Sequence, residues 1–528
     1  MLQPAELHRA VRSEGGVSRR LFLAYAGALG SLPLLGRAAL ANGSPRFASD
    51  PFTLGVASGD PDSAGMVLWT RLAPQPLEPD GGMPNEAVRV TWELADDEAM
   101  QSIVASGEAT ATPQLGHSVH VEVDGLKPDR WYWYRFRSGD AVSPVGRTRT
   151  FPEPHALPER LKFAVTSCQN YEQGLYTAYE QMARDELDLV CHLGDYIYEY
   201  AAGHTGKVRT HLGREIESLG DYRVRHAQYR SDPLLHGMHA QCPWLVTWDD
   251  HEVDNNWAAD ISEQQGVDPA DFLVRRANAF QAYYEMMPLR SASLPSGADM
   301  QLYRSASFGR LAEFQVLDTR QYRSDQPNGD RRSPLNEAAL AKSQTMLGRQ
   351  QYNWLCRNLI TSQATWNVLA QQVMMGMVDR GSGDTSSYSM DQWTGYAAER
   401  MRLMQFLAER RISNPIVLTG DIHSNWVNEL RVDDRRHDDP LVATEWVATS
   451  LSSGGNGSDK PGGLEALLSA NPCVKFHNAE RGYIRCTVTP QDWRADYLVV
   501  DDVLKPGGKT FERSSFVVEK GSPAVQPN

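Results

Sequence analysis

Cysteine is scarce in this chain and never occurs at the spacing of a metal knuckle. Six cysteines are spread over 528 residues, and no two of them form a C-x-x-C pair. This spacing excludes a disulfide-rich scaffold and argues against a structural zinc knuckle. A disulfide between Cys473 and Cys486 in an oxidising compartment stays open at this point.

Several other functional signatures are also missing. The sequence contains no G-x-S-x-G nucleophile elbow and no P-loop lysine, so neither a covalent serine mechanism nor P-loop chemistry is expected. It has no long basic run, and its formal net charge of −14 argues against a nucleic-acid partner. What remains, 41% hydrophobic and 22% charged residues, is the balance of a globular protein of several domains.

The first 41 residues are predicted to be an export signal. Arg19 and Arg20 stand in an S-R-R-x-F-L stretch ahead of a short apolar segment at 21–35, and Ala39-Leu40-Ala41 offers the small residues that a signal peptidase needs. The pair resembles a twin-arginine signal, with an ordinary Sec signal as the alternative. The apolar segment is too short and too broken for a permanent membrane span. We therefore expect the twin-arginine translocase as an export partner and a periplasmic or secreted protein.

Residues 42–153 have the pattern of a small all-β domain. Segments at 67–70, 88–94, 118–123 and 131–136 alternate in polarity or are rich in β-branched and aromatic residues, with turn residues between them. Short strands at this spacing over about a hundred residues favour a fibronectin/Ig-like sandwich. Nothing in this segment has a catalytic pattern.

Residues 154–528 alternate between strands and helices. The strands predicted at 161–167, 187–193, 244–248, 366–370 and 415–419 are nearly continuous apolar runs, which is typical of strands buried on both faces. This pattern predicts an α/β sandwich. Polar residues follow these strands directly, at the sheet edge where open α/β sheets bind ligands.

Four clusters after these strands contain side chains that bind metals. They are Ser167-Cys168-Gln169-Asn170, Gly194-Asp195-Tyr196-Ile197-Tyr198-Glu199, Trp248-Asp249-Asp250-His251-Glu252 and Gly420-Asp421-Ile422-His423-Ser424-Asn425. Each cluster is weak evidence by itself. In this order on successive strands they indicate one shared metal centre.

The set resembles the metallophosphoesterase superfamily, and within it the PhoD-type alkaline phosphatases. The resemblance runs through "SCQ", "GDYIYE", "WDDHEVDNNW", "QQVMM" and "GDIHSNW" and includes the N-terminal β domain and the export signal. It implies a catalytic domain of two mixed sheets and hydrolysis of phosphate mono- or diesters at alkaline pH. It also implies a cofactor of Fe3+ and Ca2+.

The resemblance assigns four residues to the iron. Asp195 matches the aspartate that bridges the metals and takes part in catalysis. Tyr198 matches a tyrosinate of purple acid phosphatases, and an anionic phenolate suits a hard trivalent ion. Cys168 stands where relatives have an aspartate, and His423 ends the last motif.

The calcium half is expected to be rich in oxygen. Asp250 and Asp421 stand where relatives carry asparagine and histidine, and calcium prefers oxygen ligands. His251 is expected to be catalytic, as a transition-state stabiliser or acid. Further ligand candidates stay open: either Gln371 or Gln372, and Asn255 or Asn256.

Two questions of function stay open at this stage. The phosphate-binding arginine is one, since Arg223, Arg225 and Arg230 are expected mostly on a solvated helix and Arg320 is undecided. The reaction is the other: a metal-dependent hydrolase of a different ester would keep the same ligands, and a metal-free cell-surface binding protein could keep the same fold.

Overall fold

The computed structural model describes residues 46–381 and 385–528. The predicted signal peptide lies outside the described residues. Within the part of the chain that the structure describes, no helix combines the length and the apolarity that crossing a bilayer requires.

The N-terminal part is built from short strands. These are β1 (Val56–Gly59), β2 (Met66–Arg71), β3 (Val88–Ala95), β4 (Ile103–Ala111), β5 (Ser118–Val123), β6 (Trp131–Ser138), β7 (Ala141–Val142) and β8 (Gly146–Arg149).

The part that follows the N-terminal strands alternates strands and helices. Its strands are β9 (Leu161–Thr166), β10 (Leu189–His192), β11 (Trp244–Val246), β12 (Arg304–Phe308), β13 (Ala312–Val316), β14 (Trp366–Ala370), β15 (Pro415–Thr419), β16 (Asn425–Arg431), β17 (Leu441–Val447), β18 (Gly457–Ser458), β19 (Val474–Val488), β20 (Asp492–Val500), β21 (Thr510–Glu519) and β22 (Val525–Pro527). Its helices are α1 (Ala178–Met182), α2 (Leu219–Arg230), α3 (Pro233–His239), α4 (Pro269–Met286), α5 (Gly348–Thr361), α6 (Ala397–Arg410) and α7 (Leu464–Ala470).

The N-terminal strands form the predicted sandwich. Strands β1, β2 and β5 pair antiparallel in one sheet, and β3, β4, β6, β7 and β8 form the other. Strand β6 alternates buried and half-buried side chains along its length, as a strand with one face on a core must. The core between the sheets contains Leu68, Val90, Val121 and Phe136. The fibronectin/Ig-like prediction is confirmed.

The part of the chain after β8 is a sandwich of two mixed sheets, as predicted. Parallel strands β9, β10 and β11 continue through antiparallel β19, β20 and β21 in the first sheet. The second sheet places β13, β14, β15 and β17 in parallel, with β12 and β16 antiparallel at its sides. The long strand β19 pairs with β16 as well as with β9, so it belongs to both sheets.

A dry core lies between the two sheets, which explains the apolar strands. Phe163, Leu189, Phe314, Trp366 and Trp493 are fully buried there. Separate apolar clusters fix α1 to α4 against the first sheet and α5 and α6 against the second. Burial on both faces fits the nearly continuous apolar runs of these strands.

The described residues contain no disulfide bond. The six thiols are all free; Cys473 directly precedes β19, and Cys486 lies near the other end of that strand. Because β-strands rise about 3.3 Å per residue, these two sulfurs are much too far apart for a disulfide.

The two parts of the chain pack on helix α2, and this corrects our expectation for its arginines. Arg223 pairs with Glu285 at 2.6 Å, and the Arg230 guanidinium stacks 4.5 Å above the Trp69 ring of β2. Arg225 donates to the Tyr198 carbonyl oxygen. The prediction of a solvated helix was wrong because the N-terminal sandwich covers one side of α2 and the site loops cover another.

Candidate metal centre

Loops at neighbouring strand ends bring the four sequence clusters to one place. The loops of Cys168, Asp195 and Asp250 follow β9, β10 and β11, and the loop of Asp421 and His423 follows β15 in the other sheet. Among the described residues, three groups have all their potential ligand atoms within 4.8 Å of one another. They are Cys168, Asp195 and His423; Asp195, Asp250 and His251; and Asp249, Asp250 and Asp421. Asp195 and Asp250 each belong to two groups, so the three form one continuous cluster.

Backbone strain is concentrated in these loops. Cys168, Asp195, Asp421 and His423 have positive φ angles of 58°, 55°, 63° and 53°. Such a conformation costs a residue other than glycine roughly 1–3 kcal/mol and persists only where the surroundings enforce it. Gly194 beside Asp195 has φ 104°, and a Cβ there would meet the neighbouring loop at 2.5 Å. The loops thus bring these side chains together at a cost in local stability.

Tyr198 is the centre of the first half of the site. Its phenol oxygen donates to Asp195 Oδ2 at 2.8 Å and lies 3.1 Å from His423 Nε2. Cys168 Sγ lies 3.2 Å from the Ser167 hydroxyl. Burial raises the pKa of both the Cys168 thiol and the Tyr198 phenol well above their ordinary values, and the nearby Asp195 charge raises both further. A bound cation would reverse this preference, since it stabilises the thiolate and the phenolate directly.

Carboxylates crowd the second half of the site. Burial raises the pKa of Asp195 to about 6, and burial together with Asp391 raises that of Asp421 to about 7. Asp250 is also buried, but Arg320 and His251 hold its pKa below the ordinary value. Within the described residues, Asp195 Oδ1, Asp249 Oδ2 and Asp250 Oδ1 have no hydrogen-bond partner. Buried carboxylate oxygens without donors fit a site for metal cations.

The side-chain amides of the two glutamine candidates, Gln371 and Gln372, form hydrogen bonds with other protein groups. Gln371 Nε2 donates to Thr419 and its Oε1 accepts from Trp393, at 2.6 and 3.0 Å. Gln372 donates to Thr247 and to the Leu317 carbonyl, and its oxygen accepts from Thr319.

The asparagines contact the site mainly through their backbones. Asn256 donates its backbone N–H to Asp250 Oδ2 at 2.7 Å and its amide to Asp330. Asn255 donates its backbone N–H to Glu199 at 3.0 Å. These contacts make both residues supports of the acidic loops.

Sequence reasoning missed three acidic residues of the site. Asp249 lies in the cluster with Asp250 and Asp421. Glu252 accepts the backbone N–H groups of Asp195, Tyr196 and Asp249 at 3.1, 2.6 and 2.8 Å, so it joins two site loops. Both stand inside the quoted D-D-H-E stretch, but only the folded loop shows which acid faces which way.

Glu199 is the third missed residue, and it orients His251. Its Oε2 lies 2.8 Å from His251 Nδ1, and both side chains are nearly buried. Although burial disfavours charge, Glu199, Asp250 and Asp195 raise the pKa of His251 well above its ordinary value. These carboxylates therefore favour the protonated imidazole, and the contact with Glu199 holds the ring in one orientation. Glu199 ends the G-D-Y-I-Y-E motif, and this position was the one sequence feature that could have indicated its role.

The Arg320 guanidinium forms ion pairs with several carboxylates of the site. Its fully buried guanidinium contacts Asp249, Asp391 at 2.9 Å and Asp421 at 3.5 Å. This arginine compensates part of the negative charge and positions the acidic loops, which leaves it poorly suited to clamp a substrate phosphate.

Comparison with known proteins agrees with this geometry. The family model for PhoD-like phosphatases matches residues 163–497, and the model for the N-terminal domain of these phosphatases matches residues 37–152. The chain belongs to the PhoD-like phosphatase family. Members of this family are phosphoric ester hydrolases, so the chain is an enzyme of that class.

Individual PhoD relatives are similar over most of the chain. Alkaline phosphatase D of Bacillus subtilis (strain 168) is 52% identical over 483 residues, which cover 91% of this chain and 82% of the relative. A solved structure of PhoD superposes with a TM-score of 0.90 at 52% identity and covers 92% of this chain and 93% of that one.

The His251–Glu199 pair gives a direct test of this site. We expect Glu199→Gln to lower kcat/KM for a phosphate ester by roughly 10–100-fold, because residues that orient site groups have effects of that size. Steady-state kinetics measures the change. Glu180→Gln, which removes an exposed carboxylate paired with Arg184, is the matched control and should keep full activity. Equal activity of the two variants would contradict the role of Glu199.

Proposed function

We propose that this protein is an exported alkaline phosphatase or phosphodiesterase that hydrolyses phosphate esters at an Fe3+ and Ca2+ centre. One observation carries the proposal: Asp195 belongs to one group with the Cys168 thiol and the His423 imidazole, which the Tyr198 phenol joins, and to a second group with Asp250 and His251. Asp250 in turn connects the second group to the carboxylates of Asp249 and Asp421. The two groups differ in chemistry, which favours two different metals over a matched pair.

We assign the iron to Cys168, Asp195, Tyr198 and His423. A phenolate and a thiolate supply negative charge to a trivalent ion, and the imidazole nitrogen and the carboxylate complete a mixed donor set. The contacts of Tyr198 with both Asp195 and His423 support this assignment.

We assign calcium to the oxygen side, with Asp195, Asp250 and Asp421 as ligands and Asp249 as an added candidate. Calcium takes several oxygen ligands in flexible geometry. The unpartnered oxygens of Asp195, Asp249 and Asp250 support this assignment.

The protein side chains then divide the work of hydrolysis. When bound, the metals supply charge that polarises the phosphoryl oxygens and activates water. As an imidazolium, His251 keeps its Nδ1 proton in the bond to Glu199 and can give its Nε2 proton to the leaving-group oxygen, which leaves a neutral imidazole. Arg320 keeps the acidic loops in place.

The iron assignment predicts a coloured protein. A phenolate bound to Fe3+ gives a visible charge-transfer band, which Tyr198→Phe should abolish, with a loss of activity of at least about tenfold. Tyr196→Phe is the control, because the Tyr196 hydroxyl contacts His239 and Arg230 instead of the cluster. Absorption spectra and iron content of the purified variants decide the matter. A colourless wild type with full iron content would remove Tyr198 from the ligands.

The calcium assignment predicts reversible inactivation. A calcium chelator should abolish activity and leave the visible band in place, and Ca2+ should restore activity far better than Zn2+. Asp421→His should shift the preference toward zinc or manganese, while Asp124→His on the exposed surface of the N-terminal sandwich should not. Full recovery of the chelated wild type with Zn2+ alone would contradict the assignment.

We also propose export through the twin-arginine translocase, on the basis of the S-R-R-x-F-L stretch and the Ala-Leu-Ala site. Arg19→Lys with Arg20→Lys should trap the precursor in the cytoplasm, as cell fractionation and immunoblotting would show. Normal export of this double variant would refute twin-arginine export and leave the metal assignment untouched.

A further inference from the structure

Ser453 brings a hydroxyl group to the phenol oxygen of Tyr198. It is fully buried in the loop after β17, and its Oγ lies 2.7 Å from Tyr198 Oη. The same Oγ lies 2.8 Å from the Cys168 carbonyl oxygen and accepts the backbone N–H of Asn170 at 3.0 Å. Ser453 therefore contacts two proposed iron ligands, the Tyr198 phenol and the backbone of Cys168. It is not itself proposed as a ligand.

The proton of Ser453 has two possible acceptors. A serine hydroxyl donates once, and here the choice is between the Cys168 carbonyl and Tyr198 Oη. As a phenol, Tyr198 gives its own proton to Asp195. As a phenolate it is an anionic acceptor, and hydrogen bonds to ionised acceptors are roughly twice as strong as neutral ones. If Ser453 Oγ donates to Tyr198, the Cys168 carbonyl oxygen still accepts hydrogen bonds from the backbone N–H groups of Ser452 and Ser453, at 3.4 and 3.3 Å.

The loop that carries Ser453 is held rigidly. Arg481 donates to the carbonyl oxygens of Ser453 and His423, both at 2.7 Å, and is itself buried. Ser452 Oγ donates to the Asn170 carbonyl at 2.9 Å. These bonds hold the hydroxyl at the phenol oxygen.

We propose that Ser453 is a positioning residue that donates a hydrogen bond to the Tyr198 phenolate and so weakens its electron donation to iron. The inference rests on the proposed function, since it requires Tyr198 to bind Fe3+. Hydrogen bonds to an anionic ligand atom stabilise the electron density on that atom. The phenolate-to-iron transition then needs more energy, and the ferric state is less strongly favoured over the ferrous state. An iron ion bound there would thereby keep more of its Lewis acidity.

Three variants of the iron-loaded protein test this role. In Ser453→Ala, the charge-transfer band should move to longer wavelength, and the midpoint potential in a mediated redox titration should fall. Ser453→Thr keeps a hydroxyl and should restore both values. Ser452→Ala is the matched control, because it removes a neighbouring bond to Asn170 that does not reach Tyr198, and both values should stay as in the wild type.

A measurement on the wild type covers the case in which Ser453→Ala does not fold, since that variant leaves the Asn170 N–H without its acceptor. The resonance Raman C–O stretch of the bound phenolate should shift on transfer to D2O, because the donated proton exchanges. An unshifted stretch, or a Ser453→Ala band and potential equal to those of the wild type, would overturn the role of Ser453 while leaving Tyr198 as a ligand. An iron-loaded wild type without any band would overturn the Tyr198 assignment and this inference together.

Discussion

Buried negative charge is the constraint on which the rest of the site depends. Asp195, Asp249 and Asp250 are buried, Asp421 is partly exposed, and the fold places the Arg320 guanidinium and the His251 imidazole among them. Unpaired carboxylates in such an environment cost several kcal/mol unless a proton or a cation neutralises them. The raised pKa values of Asp195 and Asp421 show the same imbalance. A metal-loaded protein satisfies this charge, which links the stability of the loops to the presence of the cofactor.

The two-sheet architecture makes this concentration of charge possible. The loops after β9, β10 and β11 come from one sheet and the loop after β15 from the other, so chemically different side chains meet where the sheets adjoin. Several of these residues have positive φ angles, a strained conformation that the packed strands beneath the loops support. Glu252 and Arg320 then join the loops to one another, so each ligand depends on several segments that are distant in sequence.

The sequence was informative where periodicity and motif order carry the information. Apolar strands buried on both faces predicted the α/β sandwich, alternation predicted the N-terminal sandwich, and the order of motifs predicted the family. The sequence could not show that the Arg320 guanidinium forms ion pairs with site carboxylates or that Glu199 orients the His251 ring. Those contacts join residues far apart in the chain. It was wrong about helix α2, whose arginines are covered by a domain that local pattern cannot place. The exact domain boundaries, the metals and the export route remain predictions.

The central claim is that one chain binds iron and calcium at adjoining, chemically different halves of a shared centre. The most direct test is elemental analysis of the purified protein before any chelator or added metal has reached it. The account predicts iron at about one ion per chain, together with calcium, and little zinc. Stoichiometric zinc or manganese with no iron would contradict it and would indicate an ordinary pair of divalent ions at the same residues.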